Sequence, residues 1–85
     1  MCEIKSVVKR PGWWLVFCTF YDGDFMSAKG VCFYGSDGNV AKITRFGIDE
    51  TKQCFNNNPI APVIKVDEEI DARFLQVGNR VEFVL

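Results

Sequence analysis

The sequence contains no histidine, and this removes the side chain most used for acid–base catalysis near neutral pH and the commonest metal ligand. Its four cysteines, Cys2, Cys18, Cys32 and Cys54, form no C-x-x-C pair. A zinc site calls for clustered Cys and His, so none is expected, and no other metal or cofactor is implied. No glycine-rich phosphate loop occurs, because the seven glycines are scattered along the chain. The longest apolar run, Trp13 to Cys18, is far too short to span a membrane as a helix. The N-terminal MCEIKSVVKR has no apolar signal-peptide core. The expectation is a cytoplasmic chain with free thiols and no membrane partner. A surplus of positive charge is missing too: net charge is −1, unlike that of a general phosphate-backbone binder.

Aromatic and apolar side chains are plentiful. Hydrophobic residues make up 48% of the 85, and 14% are aromatic. Such a composition excludes disorder. It suits one domain, residues 1–85, in which a few buried rings build the core. Charge is uneven. Residues 1–48 carry six basic and four acidic side chains, and residues 49–85 four basic and seven acidic. Two readings fit this: solvated charge spread over a near-neutral protein, or a basic face on the first half.

Turn signals recur at short intervals: Pro11-Gly12, Asp22-Gly23-Asp24, Ser36-Asp37-Gly38-Asn39, Asn56-Asn57-Asn58-Pro59 with Pro62, and Gly78-Asn79. Between them lie runs rich in Val, Ile, Phe, Trp, Tyr and Thr, the pattern of a small all-β fold. Strands are predicted at Glu3–Val8, Trp13–Tyr21, Phe25–Tyr34, Val40–Phe46, Val63–Val66 and at the C-terminus, where Val81, Phe83 and Leu85 share a face. Trp13–Tyr21 is nearly all apolar, so it reads as a central strand covered on both faces. Asp-Gly-Asp predicts a tight hairpin from the second strand to the third. Gly30 marks a bulge or bend. Asp49 is placed to N-cap a short helix through Phe55. Residues 67–77 read either as a helix capped by Asp67 or as a strand. In the strand reading Gly78-Asn79 turns the chain and Phe74 faces Phe83. The expected architecture is a five- to six-stranded antiparallel barrel or rolled sheet, OB-like or SH3-like.

The segments Gly38-Asn39-Val40-Ala41-Lys42-Ile43-Thr44-Arg45-Phe46-Gly47 and Leu75-Gln76-Val77-Gly78-Asn79-Arg80-Val81-Glu82-Phe83 follow the pattern Gly-x-Val-x-x-Ile, Phe-Gly, then Leu-x-x-Gly-x-x-Val-x-Phe. In this the C-terminal half resembles OB-type barrels of the cold-shock and ribosomal-protein RNA-binding repeat kind. The resemblance implies a small barrel that binds single-stranded nucleic acid. The chain departs from those families in lacking their histidine, near whose place Lys65 stands. It also keeps only Phe46 of their paired aromatics.

Single-stranded nucleic acid is bound by aromatic platforms flanked by cations. The candidates are Lys9, Arg10, Trp13, Trp14, Lys42, Arg45 and Phe46. Neighbouring residues of a strand point to opposite faces, so either one tryptophan of the pair is core while the other reaches the surface, or both lie under a loop or a second layer. The same residues suit a non-enzymatic protein-binding module acting on another protein or on a second copy, since Trp and Arg are frequent interface anchors. Asp22 and Asp24 around Gly23 read as turn chemistry rather than a catalytic pair, and nothing in the sequence supplies a base to activate Cys54.

Overall fold

The structure, a computed structural model, describes residues 2–21, 23–51 and 61–85. Seven strands occur among them: β1 (Cys2–Arg10), β2 (Trp13–Cys18), β3 (Gly30–Tyr34), β4 (Val40–Ile43), β5 (Phe46–Thr51), β6 (Ala61–Asp67) and β7 (Arg80–Val84). They form one antiparallel sheet in the order β4-β3-β7-β1-β2-β6-β5. The all-β expectation holds, with more strands than five or six. The sheet is rolled but not closed, for no ladder joins β4 to β5 among the described residues.

β1 organises the roll. Its first residues pair with β7 (Cys2 with Val81, Glu3 with Arg80), and Ile4 to Arg10 pair with β2. A register shift between Ile4 and Ser6 inserts one extra residue. A bulge of this kind bends a strand and reverses the alternation of its side chains. Cys2 and Ile4 are buried ahead of it, and Val7 packs on the core behind it. One strand thus keeps an inward face in both halves of the sheet.

Local chemistry explains the turns. Pro11-Gly12 closes a two-residue hairpin between Arg10 and Trp13, and Gly12 has φ +89°. Proline followed by a left-handed residue is the type II combination, which a side chain at Gly12 would oppose. The β3–β4 turn is held by the Asp37 carboxylate, which accepts from the Asn39 backbone N–H (3.1 Å) and side-chain amide (2.9 Å).

Phe33, Ile4, Ile64, Val16, Val31, Val66 and Val81 form the sealed interior. A short 3₁₀ helix, Ala72–Leu75, adds Phe74 and Leu75 to it, and the Asp71 side chain caps that helix by accepting from Arg73 N. Asn79 is buried, and its amide donates to the carbonyls of Arg73 (3.1 Å) and Phe74 (3.3 Å). Tyr21, Phe25 and Phe83 meet edge-on or tilted with centroids 5.0–6.0 Å apart. This cluster anchors the irregular link between β2 and β3.

Several expectations are corrected. β2 stops at Cys18 and pairs with β1 and β6, not β3, so the hairpin expected at Asp22-Gly23-Asp24 does not form. Asp22 itself lies outside the described residues; Asp24 accepts from Ser27 N (3.2 Å) in a local turn. Gly30 opens β3 rather than kinking its middle. The segment Val40–Phe46 breaks at Thr44-Arg45 into β4 and the start of β5, because the chain leaves one edge of the sheet there and joins the other. Asp49 sits in β5 opposite Val63, not at a helix start; residues 52–55 of the expected helix lie outside the described residues, as do Asn56 to Pro59. Pro62 is buried within β6 rather than looped. Residues 67–77 form neither the long helix nor the strand. Phe83 pairs with Val31 instead of facing Phe74, and the two turns around the 3₁₀ helix bring Asn79 under it. Leu85 is exposed.

Two substitutions check this core by urea denaturation. Phe33→Ala is expected to cost about 3–5 kcal/mol, as for a fully enclosed ring. Asn79→Ala should cost about 1–3 kcal/mol, because two carbonyls lose their only described side-chain donor.

Candidate functional site

Alternation along β2 divides its six residues cleanly. Val16 and Cys18 are buried and Trp14 packs against them, all facing inward. Trp13, Leu15 and Phe17 face outward. Each is only half-buried, and each is flanked by ladder partners that share its face. Arg10 and Asp67 flank Trp13; Val8 and Lys65 flank Leu15; Ser6 and Val63 flank Phe17. Further out, Gly47 stands beside Lys65, and its missing side chain leaves a gap; a methyl group there would touch only Lys65 Cβ, at 3.7 Å. Among the described residues no second layer covers this face. The apolar run Trp13–Cys18 reads as covered on both sides, yet only its even-numbered residues meet the core.

Lys65 crosses the middle of the face. Its ammonium lies 3.8 Å from the Trp13 ring centroid, well inside cation–π range. It separates two hollows. One, about 530 Å³, is lined by Gly12, Trp13, Arg45, Phe46, Gly47 and Lys65 among others. The other, about 480 Å³, is lined by Leu15, Phe17, Gly47, Asp49, Val63 and Lys65 among others.

The candidate residues read from sequence therefore divide into groups. Trp13, Arg45 and Phe46 meet in the first hollow, and Arg10 stands across the hairpin from Trp13. Phe46 also packs on the core, so only part of its ring is available. Trp14 and Lys9 lie on the opposite face. There the indole N–H reaches the Glu68 carbonyl (3.4 Å), and Lys9 pairs with the Glu68 carboxylate (3.0 Å) while approaching the Trp14 ring (5.5 Å). This arrangement clamps the β1–β2 hairpin to the turn after β6. Lys42 lines a third hollow of about 290 Å³ with Ile43, Arg45 and Ile70. Sequence reasoning missed Leu15, Phe17, Val63 and Gly47 as parts of a face. The signal was present: odd positions of β2 stay apolar although β1 and β6 alternate.

The other half of the sheet is polar outside. The Tyr34 hydroxyl donates to Glu82 (2.9 Å), and the Arg80 guanidinium lies 3.9 Å from the Tyr34 ring. The Glu82 carboxylate raises the Tyr34 hydroxyl above the ordinary tyrosine value, chiefly by accepting its hydrogen bond. Cys32, half exposed, lies across from Lys42 and Glu82. Among the described residues no group of three His, Cys, Asp or Glu side chains is placed to hold a metal, and no helix is long and apolar enough to cross a membrane.

Comparison of the chain with protein-family models, curated proteins and solved structures finds no match.

Two measurements follow. Trp14→Ala should destabilise the fold by about 3 kcal/mol, and Trp13→Ala by under about 1 kcal/mol, because only Trp14 meets the core; urea midpoints distinguish them. In an ultraviolet titration, Tyr34 should ionise above the usual tyrosine range, and Glu82→Gln should bring it back down. The raised value favours the protonated hydroxyl in the folded chain, so this contribution is intact at neutral pH. It is lost as pH rises through the folded-state value.

Proposed function

We propose that the chain is a non-enzymatic, cytoplasmic binding module that self-associates. In this reading the outer face of β1, β2, β6 and β5 packs on the same face of a second copy. The observation that carries the reading is the row Trp13, Leu15 and Phe17 along one strand, flanked by Val8 and Val63, with no described element over it. Contiguous apolar surface of this kind marks contact sites. Charge is consistent with a like partner. Arg10 and Lys65 share the face with Asp67, so a two-fold axis can bring the cations of one copy to the carboxylate of the other. Trp13 and the arginine beside it are typical interface anchors.

Sedimentation equilibrium across a concentration series tests this. The wild-type chain should reach a dimer. Leu15→Glu should weaken it about 30-fold or more, equivalent to ~2 kcal/mol for an anchor residue, with an unchanged circular dichroism spectrum. Gly47→Val, which fills the gap without adding charge, should weaken it too. A wild-type chain that stays monomeric at its highest soluble concentration rejects self-association.

A second reading, single-stranded nucleic-acid binding, is favoured by the first hollow. There Trp13 lies under Lys65, beside Arg45 and Phe46, and the similarity of Gly38–Gly47 to cold-shock segments points the same way. Affinity for short labelled RNA or DNA should then fall steeply with salt and with Trp13→Ala. An apolar dimer would barely respond to salt, and absence of binding at low salt eliminates this reading.

A further inference from the structure

For most of its length β1 is paired on one side only. Its ladder with β7 covers Cys2 and Glu3. Ile4 closes it: the Ile4 N–H donates to the Asn79 carbonyl (2.9 Å), and the Ile4 carbonyl accepts from the Gly78 N–H (2.8 Å). The chain leading into β7 leaves β1 there. Gly78 has φ +94°, and the residues before it belong to the turn after the 3₁₀ helix. β1 runs on to Arg10, held among the described residues by β2 alone.

The register fixes which backbone groups face the open side. A two-residue hairpin closes on a pair that exchanges both backbone hydrogen bonds, here Arg10 and Trp13. Such pairs alternate with pairs whose N–H and C=O point outward. Ser6, Val8 and Arg10 therefore bond to β2, while the N–H and C=O of Val7 and Lys9 point to the open side. Neither residue has a backbone partner there among the described residues. Two donors and two acceptors thus stand in a row, the two residues about 7 Å apart.

Charge along this edge is of one sign. Lys5, Lys9 and Arg10 are exposed, and residues 5–10 include no acid. Lys9 is paired with Glu68. Lys5 and Arg10 have no ion-pair partner among the described residues.

We propose that the free edge of β1, from Ser6 to Arg10, takes up an extended acidic segment of another protein as an added strand. A strand suits the row because it offers acceptors and donors in turn, whereas a phosphate would engage the donors alone. Acidic side chains complement the unpaired cations. A second copy pairing through the same edge would bring three cations from each side to one seam, which like-charge repulsion opposes. Cations guard an edge against its own copies in this way and leave it open to a segment of opposite sign. The edge uses backbone groups rather than Trp13, Leu15 and Phe17, so this inference stands or falls apart from self-association through the outer face.

Residue-resolved amide hydrogen exchange on the full chain tests it. In the free chain the Ser6, Val8 and Arg10 amides should be protected, and those of Val7 and Lys9 should exchange fast. A capped peptide of alternating Glu and Val should protect Val7 and Lys9, and a fluorescein-labelled form should bind less tightly as salt rises. The same peptide with Lys for Glu, or with every amide N-methylated, should bind at least about tenfold more weakly. Lys9→Pro should weaken the acidic peptide at least about tenfold relative to Lys9→Ala, which loses the same side chain but keeps the N–H. Lys5→Glu should weaken it too. Val7 and Lys9 amides already protected in the dilute free chain overturn the proposal, as does protection that rises with chain concentration alone, the sign of a second copy. Equal binding of the Lys or N-methylated peptide, or no protection at the highest soluble concentration of the acidic one, overturns it as well.

Discussion

The roll depends on β1 holding an apolar face inward while it passes from one half of the sheet to the other. Without the extra residue between Ile4 and Ser6, a strand with period-two alternation that buries Cys2 and Ile4 would turn Val7 outward and Val8 inward. The inserted residue corrects that parity and supplies the bend in the same place. The β1–β7 ladder, the β1–β2 hairpin and the enclosure of Val16, Ile64 and Val81 all follow from this adjustment.

Conflict between burial and exposure is concentrated on β2. Its inward residues are an ordinary core row. Its outward residues carry as much apolar surface as the inward ones, on a sheet with no described cover. Where local choices agree with the fold, alternation runs apolar-in and polar-out, as on β6, where Lys65 and Asp67 face out while Ile64 and Val66 are buried. Disagreement at one strand within an otherwise consistent chain is the expected mark of a functional surface.

Much of the fold was legible. Pro-Gly, Ser-Asp-Gly-Asn and Gly-Asn marked real turns, and β1, β2, β4 and β7 were found within a few residues, because their signals are local: turn chemistry and β-branched or aromatic runs. What failed was non-local. The break at Thr44-Arg45 is set by the chain's passage between sheet edges, and no punctuating residue announces it. The final segment followed tertiary demand as well: Phe74 plugs the core from a single 3₁₀ turn, so Phe74 and Phe83, paired in the hairpin reading, are core positions that reach the interior from different elements. At the site, Trp13, Arg45 and Phe46 line one hollow. Trp14 and Lys9 went to the opposite face because adjacent strand residues diverge, and Lys65 went unnoticed because its value lies in standing over a ring far away in sequence.

The ladder between Cys2–Glu3 and Arg80–Val81 has a kinetic side. It joins residues almost the whole chain apart, and Ile4 further ties to Gly78 and Asn79 through backbone hydrogen bonds. During synthesis the amino-terminal hairpin can form early, but β1 must wait for β7 to emerge before one of its edges is sheltered. High sequence separation of this sort slows collapse into the final topology and prolongs the life of an open strand border. Completion of the sheet therefore waits on β7, and the chain is most vulnerable to mispairing while β1 is formed and β7 is not yet there to cover its edge.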